Sequence, residues 1–297
     1  WQMALAAGRC DLFHVPHFNV PVLGARRLVV TIHDLIYLRE PASKKTGFAR
    51  WYLDVLFKTI QKKASAVLTV SEATKRDLLD YLPKLNPSRV SVTPEAASDI
   101  FKPITNTELS DRVRKIYGLH RPFVLFVGTL KPHKNAVRLI EAMAQLRTEK
   151  KSRHELLIIG RYDPDYPEPR KLIGANADWV HHYERVADED LAVIYNLAEC
   201  LVLPSSMEGF GLPVLEAMQC GTPVALARKS SLPEVGGEAA IYFDPASADS
   251  IGEAVLSLVT DSELRGALSR QGLERARQFS WQRTAELTLE AYRKVLG

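Results

Sequence analysis

The stretch Ser205-Ser206-Met207-Glu208-Gly209-Phe210-Gly211-Leu212-Pro213-Val214-Leu215-Glu216-Ala217 places two carboxylates eight residues apart, around a Gly-Phe-Gly turn and a helix start. Pro213 suits the first helical position, whose N–H has no intrahelical partner in any case. Gly209 and Gly211 let the backbone approach a ligand with no Cβ between them. The free N–H groups of a first turn, with the positive end of the helix dipole, form an anion site. Glu216 falls about one turn further in, while Glu208 stays in the loop at the rim of that site. Amides for phosphate and carboxylates for hydroxyls, each accepting two hydrogen bonds, match a phosphorylated sugar. Paired carboxylates also serve glycoside hydrolysis, but a phosphate-cradling turn has no use there.

Outward from this segment, short β-branched runs alternate with helical patterns, which predicts parallel sheets built from βαβ units. Strands are expected near Leu12–Val15, Leu28–Ile32, Ala66–Val70 and Arg89–Thr93, with helices over Phe48–Lys63 and Glu72–Leu82. Ser71 is placed to cap the second of these helices. From Pro94 to Pro122 the pattern lapses among prolines 94, 103 and 122, which marks a domain boundary. Beyond it, strands are expected at Phe123–Val127, Glu155–Ile159, Trp179–His182, Cys200–Leu203, Pro223–Leu226 and Ala240–Phe243. Helices are expected over 135–147, Asp188–Asn196, Pro213–Met218, Ser247–Val259, Ser262–Arg277 and Trp281–Leu296, and Gly160–Arg170 reads as a loop. A chain of 297 residues accommodates two such domains, each with its own core.

The Glu-x7-Glu segment, followed by Ala217-Met218-Gln219-Cys220-Gly221-Thr222-Pro223-Val224, resembles the retaining glycosyltransferases of family 4. The resemblance extends upstream to Phe126-Val127-Gly128-Thr129-Leu130-Lys131-Pro132-His133-Lys134-Asn135. Downstream it takes in Ser230-Ser231-Leu232-Pro233-Glu234-Val235 and Phe279-Ser280-Trp281. It implies the α/β GT-B fold, two Rossmann-like domains facing each other across a cleft. Residues 1–105 would form the acceptor-side domain, 106–280 the nucleotide-sugar-binding domain, and 281–297 a helix returning to the first. The strand and Gly-rich loop that usually open the first domain have no match here, so that domain is read as truncated or reduced. An edge exposed in this way would invite self-association or a covering partner.

The resemblance also implies roles. Lys134, six residues after Gly128, would bind the donor diphosphate and stabilise the leaving group. Many members place an arginine directly after that glycine; this chain has Thr129, which offers a hydroxyl without charge, and Lys131 or His133 could compensate. Glu216 would bind the ribose hydroxyls and Glu208 the transferred sugar, with the amides of Gly209, Phe210, Gly211 and Leu212. Gly160 and the backbone near Val186 would lie beside the base. His33 stands at the carboxyl end of an apolar strand, where the sites of α/β sheets lie; in the family it faces the donor sugar. A lone histidine at a strand end is otherwise a structural hydrogen-bonder. His14, His17 and Asn19 would line the acceptor side. The His14-x2-His17 spacing could suit a metal, yet no third ligand accompanies it and the family needs none. The catalytic set is therefore His33, Lys134 and Glu208, with no metal and no cofactor beyond the substrate.

The implied reaction moves a hexose with retention from a nucleotide diphosphate sugar to a glycan or lipid-linked acceptor, as in cell-envelope polysaccharide synthesis. The Gly-Thr-Leu-x-Pro-x-Lys-Asn form looks most like bacterial mannosyltransferases. GDP-mannose is thus the first donor choice, with UDP-glucose and dTDP-rhamnose open. A GT-B sugar-nucleotide epimerase and a non-catalytic nucleotide-sugar-binding scaffold are the alternatives.

Composition sets the outer bounds. With 46% hydrophobic and 25% charged residues, the chain has an ordinary globular composition. No apolar run reaches the ~18 residues of a membrane span, and no signal peptide opens the chain. Cys10, Cys200 and Cys220 match no zinc or redox spacing, so they read as reduced, semi-buried thiols in a cytoplasmic protein. Residues 1–100 carry a formal +5 and the remainder −1; this is too weak and mixed for nucleic acid, though it would favour an anionic membrane face. The helix 48–63 sets Phe48, Trp51, Tyr52, Val55, Leu56, Thr59 and Ile60 on a stripe opposite Lys58, Lys62 and Lys63. Packing on its own sheet is the preferred reading; peripheral attachment at the inner face of a membrane is the other.

Overall fold

The computed structural model describes residues 10–21, 26–39, 47–149 and 151–297. Contacts divide the chain into two units. The first holds the described residues up to Ala96 together with Glu208–Phe210 and Ser280–Gly297, and the second holds Ala97–Met207 and Gly211–Phe279. Each contains one fully parallel sheet.

In the first unit, β1 (Phe13–Val15), β2 (Leu28–Ile32), β3 (Ala64–Thr69) and β4 (Val90–Val92) lie in that order. Every residue of β2 is buried, as in a strand covered on both faces. The period of two divides its side chains. Leu28, Val30 and Ile32 join a core with Leu56, Phe57, Ile60 and Leu78, whereas Val29 joins Ala66, Leu68 and Ala291. Ala291 belongs to the helix Trp281–Leu296, which covers this second face. The Thr284 hydroxyl of that helix donates to the Pro94 carbonyl at 2.5 Å.

The helix Phe48–Lys63 has the expected bounds but a different buried stripe. Trp51 and Tyr52 are 58% and 44% exposed, and the buried apolar face is Leu53, Leu56, Phe57 and Ile60. Their i, i+3, i+4, i+7 spacing turns the helix further than the aromatic pattern suggested. Asp54 accepts from the Tyr81 hydroxyl at 2.5 Å and sits 3.5 Å from Arg50 Nε. That polar edge, together with the leucines beside it, leaves the two aromatics outward. The side chain of Phe48 lies outside the described residues.

In the second unit, β5 (Phe123–Val127), β6 (Glu155–Ile159), β7 (Val180–Tyr183), β8 (Cys200–Leu203), β9 (Val224–Ala227) and β10 (Ala240–Phe243) adopt the order β10-β9-β8-β5-β6-β7. The chain builds outward from β5 through β7, then returns to the other side of β5 and builds outward again. Strand order therefore reverses between β5 and β8. At such a switch point the loops leaving the two carboxyl ends diverge and open a crevice.

The region between Pro94 and Pro122 is less irregular than its prolines imply. Helix Thr107–Ile116 is capped by Asn106, whose side chain accepts from Leu109 N at 3.0 Å. Only Val113 is buried on it, although Leu109, Val113 and Ile116 fall on one short stripe. Polar bonds hold it instead: Asp190 accepts from Arg112 at 2.7 Å and from the Tyr117 hydroxyl at 2.9 Å. By its contacts the chain passes to the second unit after Ala96, ahead of the 105/106 boundary read from the prolines. The reason is that Asn196 accepts from Ile104 N at 2.8 Å and donates to the Lys102 carbonyl at 3.0 Å, fastening this strand of chain to the second unit. Helix Glu168–Ala175 begins inside the segment read as a loop, its Pro167 and Pro169 being tolerated at a helix start. Short helices at Ile36–Arg39 and Leu232–Gly236 were also not anticipated. Cys10 is exposed rather than semi-buried, while Cys200 and Cys220 are buried, and none of the three is in a disulfide. Among the described residues no helix is long and apolar enough to cross a membrane.

Gly160, after β6, packs directly on the end of β5. A Cβ there would lie 1.8 Å from the Gly128 carbonyl oxygen. Gly160→Ala is expected to destabilise the fold by about 1–3 kcal/mol, the usual cost of overpacking, seen as a lower midpoint in urea with an unchanged slope.

Candidate active site

The crevice of the second unit is furnished from its strand ends. After β5 the chain runs through Gly128 and Thr129, with Gly128 N donating to Ile159 O at 2.9 Å and Leu130 N to Arg161 O at 2.8 Å. A 3-10 turn, Pro132–Lys134, follows. A Cβ built on Gly128 would sit 3.8 Å from Lys134 Cδ, so the lysine stem passes over the end of β5. Asn135 is left-handed (φ 57°, ψ 30°), a conformation asparagine adopts more readily than other side chains. Its amide donates to the carbonyls of Pro204 at 3.1 Å and Pro245 at 2.8 Å. Ser206 N donates to the His133 carbonyl at 2.8 Å. The Lys134 turn is thereby tied to the loops that follow β8 and β10. His133 is itself buried, and Lys131 and Thr129 are half-buried.

After β8, helix Leu212–Gln219 starts at Gly211 (φ 107°) with no side chain capping it, and Leu212 rather than Pro213 is its first residue. Uncapped first-turn N–H groups need outside partners, which suits an anion. One turn in, Glu216 Oε2 accepts from the Tyr195 hydroxyl at 2.7 Å. Tyr195 is fully buried and meets Phe101 edge-on at 5.7 Å. Burial pushes the Glu216 carboxyl above the ordinary carboxylate range, the Tyr195 bond pulls it back, and Asp188 adds to the rise. After β6 and β7, His182 Nε2 donates to the Gly160 carbonyl at 2.7 Å, and Val186 is half-buried beside exposed Glu184 and Arg185. Gly128, Thr129, Lys134, Gly160, Val186, Gly211, Leu212 and Glu216 thus all stand at the carboxyl ends of one sheet.

Glu208, Gly209 and Phe210 belong by their contacts to the first unit. Ser71 and Thr74 bring hydroxyls to the Gly209 carbonyl at 2.7 and 3.1 Å. The Gly209 backbone is so close that a Cβ there would be 2.4 Å from the His33 carbonyl oxygen. Glu208 is buried. His33, after β2, sets Nδ1 2.9 Å from Glu95 Oε1 and Nε2 3.3 Å from the Pro16 carbonyl. The Glu95 hydrogen bond raises its proton affinity, against an opposing effect of burial, and the charges of Glu95 and Asp34 and the Pro16 carbonyl add to the rise. His14 is placed otherwise. Its Nδ1 pairs with the Tyr292 hydroxyl at 2.5 Å and its Nε2 with the Thr31 hydroxyl at 2.8 Å, which fastens the last helix to β2. Burial lowers its proton affinity. With both nitrogens so engaged, His14 is a structural residue and not half of a His-x2-His metal pair. His17 and Asn19 are exposed. Among the described residues no three metal-ligating side chains gather.

The profile described as Glycosyl transferases group 1 covers residues 110–275, and that described as Glycosyltransferase Family 4 covers residues 1–97. The O-antigen chain mannosyltransferase B of Escherichia coli is 31% identical over 284 residues, which are 95% of this chain and 74% of that protein. The chain belongs to the group 1 glycosyl transferases of family 4. The serotype-specific mannosyltransferase WbdA of Escherichia coli is 28% identical over 289 residues, and there the chain spans 35% of the relative's length. Among solved structures, Anabaena HepE in complex with UDP and glucose superposes with a TM-score of 0.81 over 99% of this chain and 80% of that one, at 19% identity. The fold is accordingly GT-B. Every second-unit site residue of this glycosyltransferase lies inside the group 1 match, and His14, His17, Asn19 and His33 lie inside the family 4 match.

Several residues of the site were not singled out from sequence. Glu95 follows a strand end, a position that could have flagged it. Asn135 adjoins Lys134, and its tolerance of the left-handed region was a usable signal. Tyr195 sits among apolar neighbours on a buried helix and gave none. Tyr195→Phe keeps the shape and removes the hydroxyl whose hydrogen bond favours the Glu216 carboxylate. Glu216 should then ionise at higher pH, read from its 13C-labelled carboxyl resonance. A carboxyl raised in the folded state binds its proton more tightly than in the unfolded chain, so stability falls as pH rises from about 4.5 through the folded value. The substitution should extend that loss to higher pH.

Proposed function

We propose that this glycosyltransferase moves a hexose, mannose by preference, from a nucleotide diphosphate sugar to a glycan or lipid-linked acceptor with retention at the anomeric carbon. The observation that carries the reading is the switch-point arrangement in the second unit. A lysine crosses the end of β5, and a half-buried carboxylate one turn into the helix after β8 is set by a tyrosine. Lys134, Thr129 and the amides at Gly211 and Leu212 take the diphosphate, Glu216 the ribose hydroxyls, and the backbone near Gly160 and Val186 the base. Glu208, Gly209, Phe210 and His33 are assigned to the transferred sugar, and His17 and Asn19 to the acceptor. Similarity to mannosyltransferases favours GDP-mannose; the UDP and glucose in the HepE complex keep UDP-glucose next, ahead of dTDP-rhamnose.

In this reading the chemistry is same-face substitution. The bond from the anomeric carbon to the phosphate oxygen breaks as the acceptor oxygen bonds to that carbon, and the departing phosphate oxygen receives the acceptor's proton. The protein's part is electrostatic: preorganised charge and donors meet the negative charge that grows on the diphosphate. Lys134 supplies that charge without a metal.

Glu216→Ala is expected to weaken GDP binding about 10–100-fold, because a hydrogen bond to a charged group is worth about 1.5–3 kcal/mol. Glu208→Ala should lower kcat by a similar factor with GDP affinity unchanged. Calorimetry with GDP and turnover of GDP-mannose separate the two; undiminished affinity in the Glu216 variant sinks the assignment. Turnover should also persist in EDTA. A complete, magnesium-restored loss would refute the role given to Lys134.

A further inference from the structure

His33 presents both ring nitrogens to oxygens. Nδ1 lies 2.9 Å from Glu95 Oε1 and Nε2 3.3 Å from the carbonyl of Pro16. A carbonyl can only accept, and so can an ionised carboxylate. Neutral imidazole has one N–H and satisfies only one of them; imidazolium has two and satisfies both. We propose that Glu95 is a positioning residue that holds His33 as a doubly protonated ring, so that His33 serves transfer as a fixed positive charge and hydrogen-bond donor rather than as a base. This inference rests on the assignment of His33 to the transferred sugar.

Three features separate this pair from an ordinary surface ion pair, which contributes little. First, both partners stand on pinned backbone. The Pro94 carbonyl, next to Glu95, accepts from Thr284 at 2.5 Å, and Thr93 N donates to Thr69 O at 2.8 Å. The His33 carbonyl lies 3.2 Å from the Thr74 hydroxyl and packs against Gly209. Second, the two bonds are unequal. At 2.9 Å the Glu95 bond has ordinary length, whereas 3.3 Å to Pro16 is beyond the usual N–H···O range. A ligand oxygen can therefore take over Nε2–H while Nδ1–H stays on Glu95. Third, the His33 side chain is 48% exposed and that of Glu95 17%, so the ring can be reached and its partner is sheltered.

The charged groups acting on the ring are Glu95, from the loop after β4, and Asp34, beside it in the chain. The loop after β1 contributes the Pro16 carbonyl, followed by His17, and Gly209, on the His33 backbone, is preceded by Glu208. Both carboxylates act in the direction that keeps the ring charged, and burial acts against them.

The test follows the His33 Cε1–H resonance against pH in the unmodified chain and in Glu95→Gln, with kcat for GDP-mannose turnover measured over the same range. Removing the carboxylate should lower the His33 midpoint by about tenfold in proton affinity or more. The high-pH fall in kcat should move to lower pH with it, while KM for GDP-mannose changes less than about twofold. Glu95→Asp, which keeps the charge, should restore most of both, and His33→Gln should abolish that high-pH fall. An identical His33 midpoint in the unmodified chain and Glu95→Gln overturns the proposal. A midpoint that falls with no movement of the kcat profile shows a real pair outside the reaction, which overturns the assignment of His33 and leaves the Glu216 and Lys134 assignments standing.

Discussion

The reversal of strand order between β5 and β8 is the constraint from which the second unit's site follows. Parallel strands need crossovers, and crossovers are right-handed. A chain that has built β5, β6 and β7 in one direction can add three more parallel strands beyond β5 only by returning to its other side. The loops after β5 and β8 then leave adjacent strands in opposite directions. This backbone property alone places Gly128 and Lys134 on one lip and Gly211, Leu212 and Glu216 on the other.

Geometry that follows from topology still has to be held, and here polar side chains hold it. Asn135 spends one amide on two carbonyls from two other loops, at 3.1 and 2.8 Å, while its own backbone makes the left-handed bend after Lys134. Tyr195 sets Glu216 in the same manner from a neighbouring helix. In the first unit His14 joins β2 to the last helix, and Ser71 and Thr74 secure Gly209. Most of these groups are buried or half-buried, where an unpaired partner would cost about 1–3 kcal/mol. Each therefore fixes geometry more strongly than it adds stability.

The two histidines of the first unit show how environment divides one residue type between two tasks. His14 is held between two hydroxyls and loses proton affinity through burial. His33 meets a carboxylate and a carbonyl and gains it. Residue type does not distinguish them; His14 lies inside β1, level with Val29, and His33 follows the end of β2.

The sequence by itself determined the fold class and pointed to residues that the second unit gathers at its strand ends. The apolar runs of β2, β5, β6 and β8 have the observed bounds because buried parallel strands carry nearly unbroken apolar runs that turn residues interrupt. The Glu208–Glu216 segment was legible because its glycines, proline and carboxylates each have a local reason to be there. Helix Thr107–Ile116 was missed because its apolar stripe is only three residues among prolines and its anchors lie on a distant helix. The buried stripe of Phe48–Lys63 was decided by the sheet it covers, not by where its aromatics fall. Only the tertiary structure chose Glu95 for His33, Tyr195 for Glu216 and two distant carbonyls for Asn135. Those pairings join residues 62, 21, 69 and 110 positions apart, and side-chain hydrogen bonds over such separations leave no periodic trace in a single sequence.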